Sequence, residues 1–248
     1  MVEFFIAFRH VIERKFQSVF SVLGVAIAVT VFIVSLTVSN GLEKNMINSL
    51  LTMSPHILIK NKESKFFENY DGIVENVKKI KGVKAVIPQM NSQSILKANG
   101  LAKGVLADGI SPEDVKNGLN LRIVDGNNNI SELNSVLIGE QLAAEMKLKV
   151  GKEISIVSAE NKEIKLIVRG VFKTGFLDYD SNLVIVPLEA MQILSDQGKV
   201  ATEIGVKIEH PEKVEKILDQ VTNAVNSKEY RAISWKTINQ NLLRAVQF

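Results

Sequence analysis

The chain opens with one long apolar block and then turns to short alternating segments. From Phe16 to Leu42 no residue is charged, and thirteen of the twenty residues from Val19 to Val38 are Val, Leu, Ile or Phe. Twenty helical residues rise about 30 Å, the thickness of a bilayer's hydrocarbon core. Apolar side chains fall on every side, whereas a surface helix of a soluble protein keeps a polar face. The pattern predicts a transmembrane helix over residues 16–42. A cleaved signal peptide has a shorter apolar core and a small-residue cleavage site. This run is longer and passes directly into the helical pattern of "SNGLEKNMINSLL".

Ahead of the span, "FFIAFRHVIERKF" sets Phe5, Phe8, Ile12 and Phe16 on one helical face and Arg9 and Glu13 on another. That predicts a cytoplasmic interfacial helix over 1–15. Arg9, Arg14 and Lys15 precede the span, and Lys44 stands alone just after it. The excess of basic residues puts the N-terminus in the cytoplasm and residues after about 43 outside it. Ser21, Gly24 and Ala28 form a small-residue stripe. It reads either as ordinary span composition or as a face for a closely packed neighbouring helix.

Past the span, Met46, Ile47, Leu50 and Leu51 continue a helical stripe, which predicts a stalk over 43–55 ended by Pro55. "HILIK" reads as a strand, "GIVENVKKIKGV" as a short amphipathic helix, and "VKAVIPQMNSQSILKANG" as a long strand interrupted at Pro88. Residues 99–199 read as a mostly β subdomain. Within it "SPEDVKNG" forms turns capped by Ser111, and "SVLIGEQLAAEMKLKVG" is a strand and a helix closed by Gly151. "VATEIGVKIEH", a helix opened by Pro211, and "YRAISW" return to the first pattern. The expectation is an α+β domain: a β-α-β subdomain from 56–98 and 200–235, with the β-rich subdomain inserted. In 236–248, Ile238, Leu242, Ala245 and Val246 fall at helical spacing, which predicts a second stalk leading to a further span.

Composition narrows the chemistry. The 248 residues are 46% apolar with net charge +3, and none is cysteine. Disulfide scaffolds, thiolate metal sites and thiol nucleophiles are excluded, and nothing calls for a nucleic-acid partner. No P-loop and no Gly-x-Ser-x-Gly pattern occurs. His10, His56 and His210 are too scattered for a metal site, and His56 reads as a strand-edge residue. Asp178, Asp180, Asn182 and Glu189 match positions of a calcium loop, but Leu183 stands where the loop requires glycine. They read as turn residues. No catalytic residue, metal or cofactor is expected in this chain.

Several short motifs occur in a family's order: Phe5, Ala7 and Arg9; Ser21, Gly24 and Ala26; Asn40-Gly41; Pro55-His56; "GVFKTGFLDYDSNLVIVPLEAMQIL"; and "WKTINQNLLRAVQF". With them the chain resembles the N-terminal portion of the lipoprotein-releasing ABC transporter permeases (LolC/LolE type) of the MacB/FtsX-like superfamily. The resemblance implies a bacterial inner-membrane subunit with four spans and a large periplasmic domain after the first. It implies a separate ABC ATPase that binds ATP and Mg, and a second permease copy or paralogue. A periplasmic lipoprotein carrier, a lipoprotein cargo and membrane lipids complete the partners. In one paralogue type a protruding hairpin, the hook, grips the carrier. The corresponding stretch makes Gly175, Phe176, Leu177 and Tyr179 candidate carrier contacts, against the alternative of a hairpin tip folded onto the core. Met46, Ile47, Leu50, Leu51 and Met53 are candidates for an apolar lipid path, against packing of stalk on stalk. Two other functions stay open: a single-pass anchored binding module, and a MacB/FtsX-like permease with another substrate or a signalling role.

Overall fold

The uncharged run and the first stalk form one helix, α1 (Lys15–Met53), of 39 residues. It belongs to a computed structural model that describes Arg9, residues 15–119 and residues 121–246. The interfacial helix expected over 1–15 lies outside the described residues, apart from Arg9 and the backbone of Lys15. The side chains of Leu50, Met53, Leu242, Ala245 and Val246 lie outside them as well. Residues 1–47 and 48–248 are two compact units.

In the first unit, the α1 side chains from Val19 to Val38 are exposed all round, Phe20 at 72% and Phe32 at 64%. Two threonines in this stretch satisfy their own hydroxyl groups. The Thr30 hydroxyl donates to the Ala26 carbonyl and the Thr37 hydroxyl to the Ile33 carbonyl, each at 2.8 Å. Such back-bonding lets threonine sit in an apolar helix without an orphaned donor. Among the described residues this is the one helix long and apolar enough to cross a membrane.

The second unit is built on ten described strands. They are β1 (Ile57–Asn61), β2 (Val83–Ala98), β3 (Leu101–Ile110), β4 (Arg122–Gly126) and β5 (Ser135–Gly139), then β6 (Glu153–Val157), β7 (Glu163–Lys173), β8 (Leu183–Pro187), β9 (Glu203–Ile208) and β10 (Tyr230–Ser234). They pair in the order β10-β1-β9-β2-β3-β8-β5-β7-β4, and β6 bridges β2 and β7. Only β3–β8 and β5–β7 are parallel. The helices between them are α2 (Asp71–Lys78), α3 (Pro112–Asn117), α4 (Glu140–Glu145), α5 (Leu177–Asn182), α6 (Leu188–Ser195), α7 (Val214–Ala224), α8 (Trp235–Ile238) and α9 (Gln240–Val246).

The period of two in the central strands makes two cores. Val184 and Val186 of β8, with Val136 and Ile138 of β5, join Leu96, Leu142, Ile156 and Met191 on one face. Leu183 and Ile185 of β8, with Leu137 of β5, join Ile87, Ile110, Val115 and Phe172 on the other. Both strands are buried throughout, as an apolar run bounded by turns requires of a strand covered on two faces. Each such side chain contributes about 1.5–3 kcal/mol relative to exposure.

Local rules account for most element ends. Ser111 caps α3 by accepting the Asp114 N–H at 3.1 Å. β2 is continuous through Pro88, because β3 begins to pair only at Gln89 and Pro88 has a neighbour on the β9 side alone. The helix expected to run to Gly151 ends earlier. Lys147 takes a left-handed φ of 53°, and the Leu148 N–H reaches back to the Ala143 carbonyl at 2.8 Å. That is a Schellman-type stop sealed by buried Leu148. The second stalk is not one helix either. Asn239 breaks it, donating from its side chain to the Trp235 carbonyl at 2.9 Å while its own carbonyl accepts from Leu243 N–H at 2.9 Å.

The end of α1 lies on β9 through a glycine. A Cβ built on Gly205 would meet Pro55 Cβ at 2.9 Å. The Gly205→Ala variant should therefore lose about 1–3 kcal/mol of stability. Chemical denaturation of the full chain measures this, and a neutral substitution would show that Pro55 is free to shift.

Candidate functional site

The last turn of α1 presents carbonyl groups with no helical partner, as every helix C-terminus does. Lys207 of β9 meets them. Its Nζ donates to the carbonyls of Leu51 at 2.9 Å and Ser54 at 2.8 Å. Lys207 is buried, and burial together with the neighbouring Lys84 pulls its pKa down to about 7. Glu203, Gly205 and Lys207 alternate along β9, so one face of this strand carries all three.

His56 ties the same point to the rest of the sheet. It is buried rather than lying on an exposed strand edge. Its Nδ1 accepts from the Ile208 N–H at 2.9 Å, its N–H donates to Val206 O, and its carbonyl accepts from Trp235 N–H at 2.9 Å. Burial first, then the charges of Lys207 and Lys84, hold its pKa near 4, so the imidazole is neutral and acts as an acceptor. Trp235 is anchored in turn by its indole N–H on the Pro211 carbonyl at 3.0 Å. The chain thus arrives from α1 and leaves toward α8 through adjacent, hydrogen-bonded residues.

Beside this junction is a cavity of about 160 Å³, with Ser54, Pro55, Tyr179, Ile238 and Asn239 among its lining residues. Two carboxylates line it too, Asp108 of β3 and Glu203 of β9. Glu203 is satisfied, accepting from Gln89 at 2.5 Å and Asn91 at 2.9 Å, with Lys60 3.4 Å away. Asp108 is not. It stands opposite Asn91 in the β2–β3 register, and the Oδ1 atoms of both residues are shut off from solvent without a partner. Burial, and then the charge of Glu203, push the Asp108 pKa up to about 8.

The segment after β7 is not a hairpin. β7 and β8 each pair with β5, which lies between them, so residues 174–182 are a turn followed by α5. Asp180 organises the turn: its Oδ1 accepts from the Thr174 N–H at 2.7 Å and the Thr174 hydroxyl at 2.8 Å, and its Oδ2 from the Gly175 N–H at 3.1 Å. Gly175 has φ +82°, a conformation that suits glycine. The four candidate carrier contacts separate into two kinds. Gly175 and Leu177 are exposed, Leu177 at 68%. Phe176 and Tyr179 are half-buried and pack edge to face at 5.2 Å, and the Tyr179 hydroxyl is engaged with Ser54 Oγ at 2.6 Å. Of the lipid-path candidates, Met46, Ile47 and Leu51 are half-buried. The calcium-loop coincidence dissolves into α5 and α6: Asp178, Asp180 and Asn182 belong to one helix and Glu189 to the other. Lys207, Asp108 and Glu203 were not singled out in the sequence. The available signal was polar side chains at alternate positions of a strand that is otherwise apolar.

Asp108 makes the junction's stability depend on pH in a defined direction. In the unfolded chain it ionises near its ordinary value of 3.8, but in the fold it keeps its proton to about 8. Between those values the folded state binds one more proton, so this contribution falls as pH rises. Asp108→Asn removes it. The melting temperature of the variant relative to the native chain should climb steadily from pH 4 to 8 and level off above. A difference that stays constant across that range would contradict the assignment.

Comparison with known proteins places this architecture. Residues 18–224 match the MacB-like periplasmic core domain. The chain is similar to the lipoprotein-releasing system transmembrane protein LolC of Neisseria meningitidis, 23% identical over 94% of this chain and 59% of that protein. It is also similar to the corresponding protein LolE of Haemophilus influenzae, 23% identical over 77% of this chain and 50% of that one. It therefore spans little more than half the length of these relatives. In fold it is similar to the extracellular domain of the noncanonic ABC-type transporter YknZ, with TM-score 0.53 and 16% identity, covering 72% of this chain and 99% of that one. The periplasmic region of MacB from Actinobacillus actinomycetemcomitans gives TM-score 0.52 and 14% identity over 80% of this chain and 97% of that one. With more than half its length matched by that domain, the chain belongs to the MacB-like periplasmic core domain family.

Proposed function

We propose that this chain is the first span and extracytoplasmic domain of an ABC transporter permease subunit that releases lipoproteins from the outer leaflet of the bacterial inner membrane. The observation that carries the reading is the junction: Trp235 N–H bonded to His56 O at 2.9 Å sets the chain's two connections side by side. A domain held at a single point by both connections can be moved as a body. A lipid-anchored protein resists extraction, since each buried CH₂ costs about 0.8 kcal/mol to expose. Work supplied by ATP hydrolysis on a separate cytoplasmic subunit must then reach the extracytoplasmic side through the stalk. No catalytic group is needed in the permease for that task. A second permease copy or paralogue completes the pair, and a soluble carrier takes the cargo. The similarity to LolC and LolE over most of the chain supports lipoprotein as the cargo.

On this reading Leu177 and Gly175 are the carrier contacts, and Phe176 and Tyr179 hold the turn that presents them. Leu177→Glu in the complete permease, reconstituted with its ATPase and a labelled lipoprotein, should cut transfer to the carrier by tenfold or more. ATP hydrolysis should persist, because an exposed side chain does not enter the core. Transfer at the native rate would remove the turn from the carrier interface.

A further inference from the structure

A second feature of the α1 end is a groove of about 620 Å³ whose lining includes Asn48, His56, Lys84, Lys116, Lys207 and Glu209. Three lysines face one carboxylate. They come from separate places: Lys84 from the start of β2, Lys116 from α3, Lys207 from β9. Lys84 and Lys116 are exposed and make no ion pair among the described residues. The positive field of Lys84 is felt inside the fold. After burial, it helps lower the pKa of Lys207 and, behind Lys207 itself, that of His56. Gathering like charges at one place is unfavourable unless something of opposite sign binds there.

The position of the groove in the chain indicates what that is. Asn48 comes six residues after Leu42, the last residue of the uncharged run. Six residues cover about 9 Å as helix and at most about 20 Å fully extended. If residues 16–42 span the bilayer, the groove is within reach of the lipid headgroups, where phosphate is the abundant anion. We propose that the groove binds the phosphate of an anionic lipid headgroup, with Lys84 and Lys116 as its charged rim. Lys207 and His56 form the floor and stay engaged on the backbone carbonyls and amides of the junction. The bound lipid would then sit against the last turn of α1.

Native mass spectrometry of the detergent-solubilised full chain, titrated with phosphatidylglycerol, tests this directly. A lysine near an anionic surface is worth about 1 kcal/mol, or roughly fivefold in affinity. The double variant Lys84→Gln/Lys116→Gln should bind phosphatidylglycerol at least tenfold more weakly than the native chain. Lys149→Gln/Lys152→Gln removes the same charge from an exposed turn elsewhere and should bind as the native chain does. Phosphatidylcholine should bind all three proteins alike. Equal weakening in both double variants would mean general charge attraction and no site, and unchanged binding in the first would overturn the proposal. Displacement of the lipid by inorganic phosphate at equal concentration would assign the groove to free phosphate instead.

Discussion

The structure of the second unit depends on how one helix end is satisfied. α1 stops at Met53, and at its end the carbonyls of Leu51 and Ser54 meet the protein. Unpaired carbonyls there would each cost a large part of a hydrogen bond. Lys207 supplies the donors, and β9 supplies Lys207. Burying a lysine to do so carries its own penalty, visible in a pKa drawn down to about 7. The arrangement persists because the ammonium exchanges water for two backbone oxygens at hydrogen-bond distance. Gly205, two residues back, leaves room for Pro55, and His56 then leads into β1 between β9 and β10. Each link fixes the next.

That chain of contacts explains why the polar groups of this domain gather where they do. The sheet's centre is apolar on both faces, whereas the end that receives α1 holds Lys207, His56, Glu203, Gln89, Asn91 and Asp108. Buried polar groups specify one geometry where apolar packing tolerates several. At the joint between the end of α1 and the sheet, these groups fix a single geometry. Asp108 and the Asn91 Oδ1 opposite it remain incompletely satisfied, and an acid kept neutral to about pH 8 is the cheapest form in which to bury Asp108.

Much of the fold was legible in the sequence because local chemistry decided it. The span needs only its own composition, and Ser111 and Pro55 act over a few residues. What was missed is non-local. Residues 174–181 read as a hairpin, either protruding or folded onto the core, since strand patterns flank them, but β5 enters between those strands. The anchoring of Trp235, just ahead of the break at Asn239, comes from Pro211, 24 residues earlier. Nothing local in "VATEIGVKIEH" marks Lys207 as buried. Its burial follows from α1, which is more than 150 residues away in the chain. The same holds within the candidate site: Leu177 was readable as a prominent apolar side chain, but the engagement of Tyr179 with Ser54 was not.

The central claim is that the two connections of the domain form one mechanical unit through Lys207, His56 and Trp235. Hydrogen–deuterium exchange on the full chain, native against Lys207→Met, examines it most directly. If the unit is real, losing the cap should speed exchange in residues 54–58 and also at residues 230–239. The amides of β5 and β8 should stay protected. Faster exchange confined to the first segment, with residues 230–239 unchanged, would contradict the claim and leave the stalk end as an ordinary helix terminus.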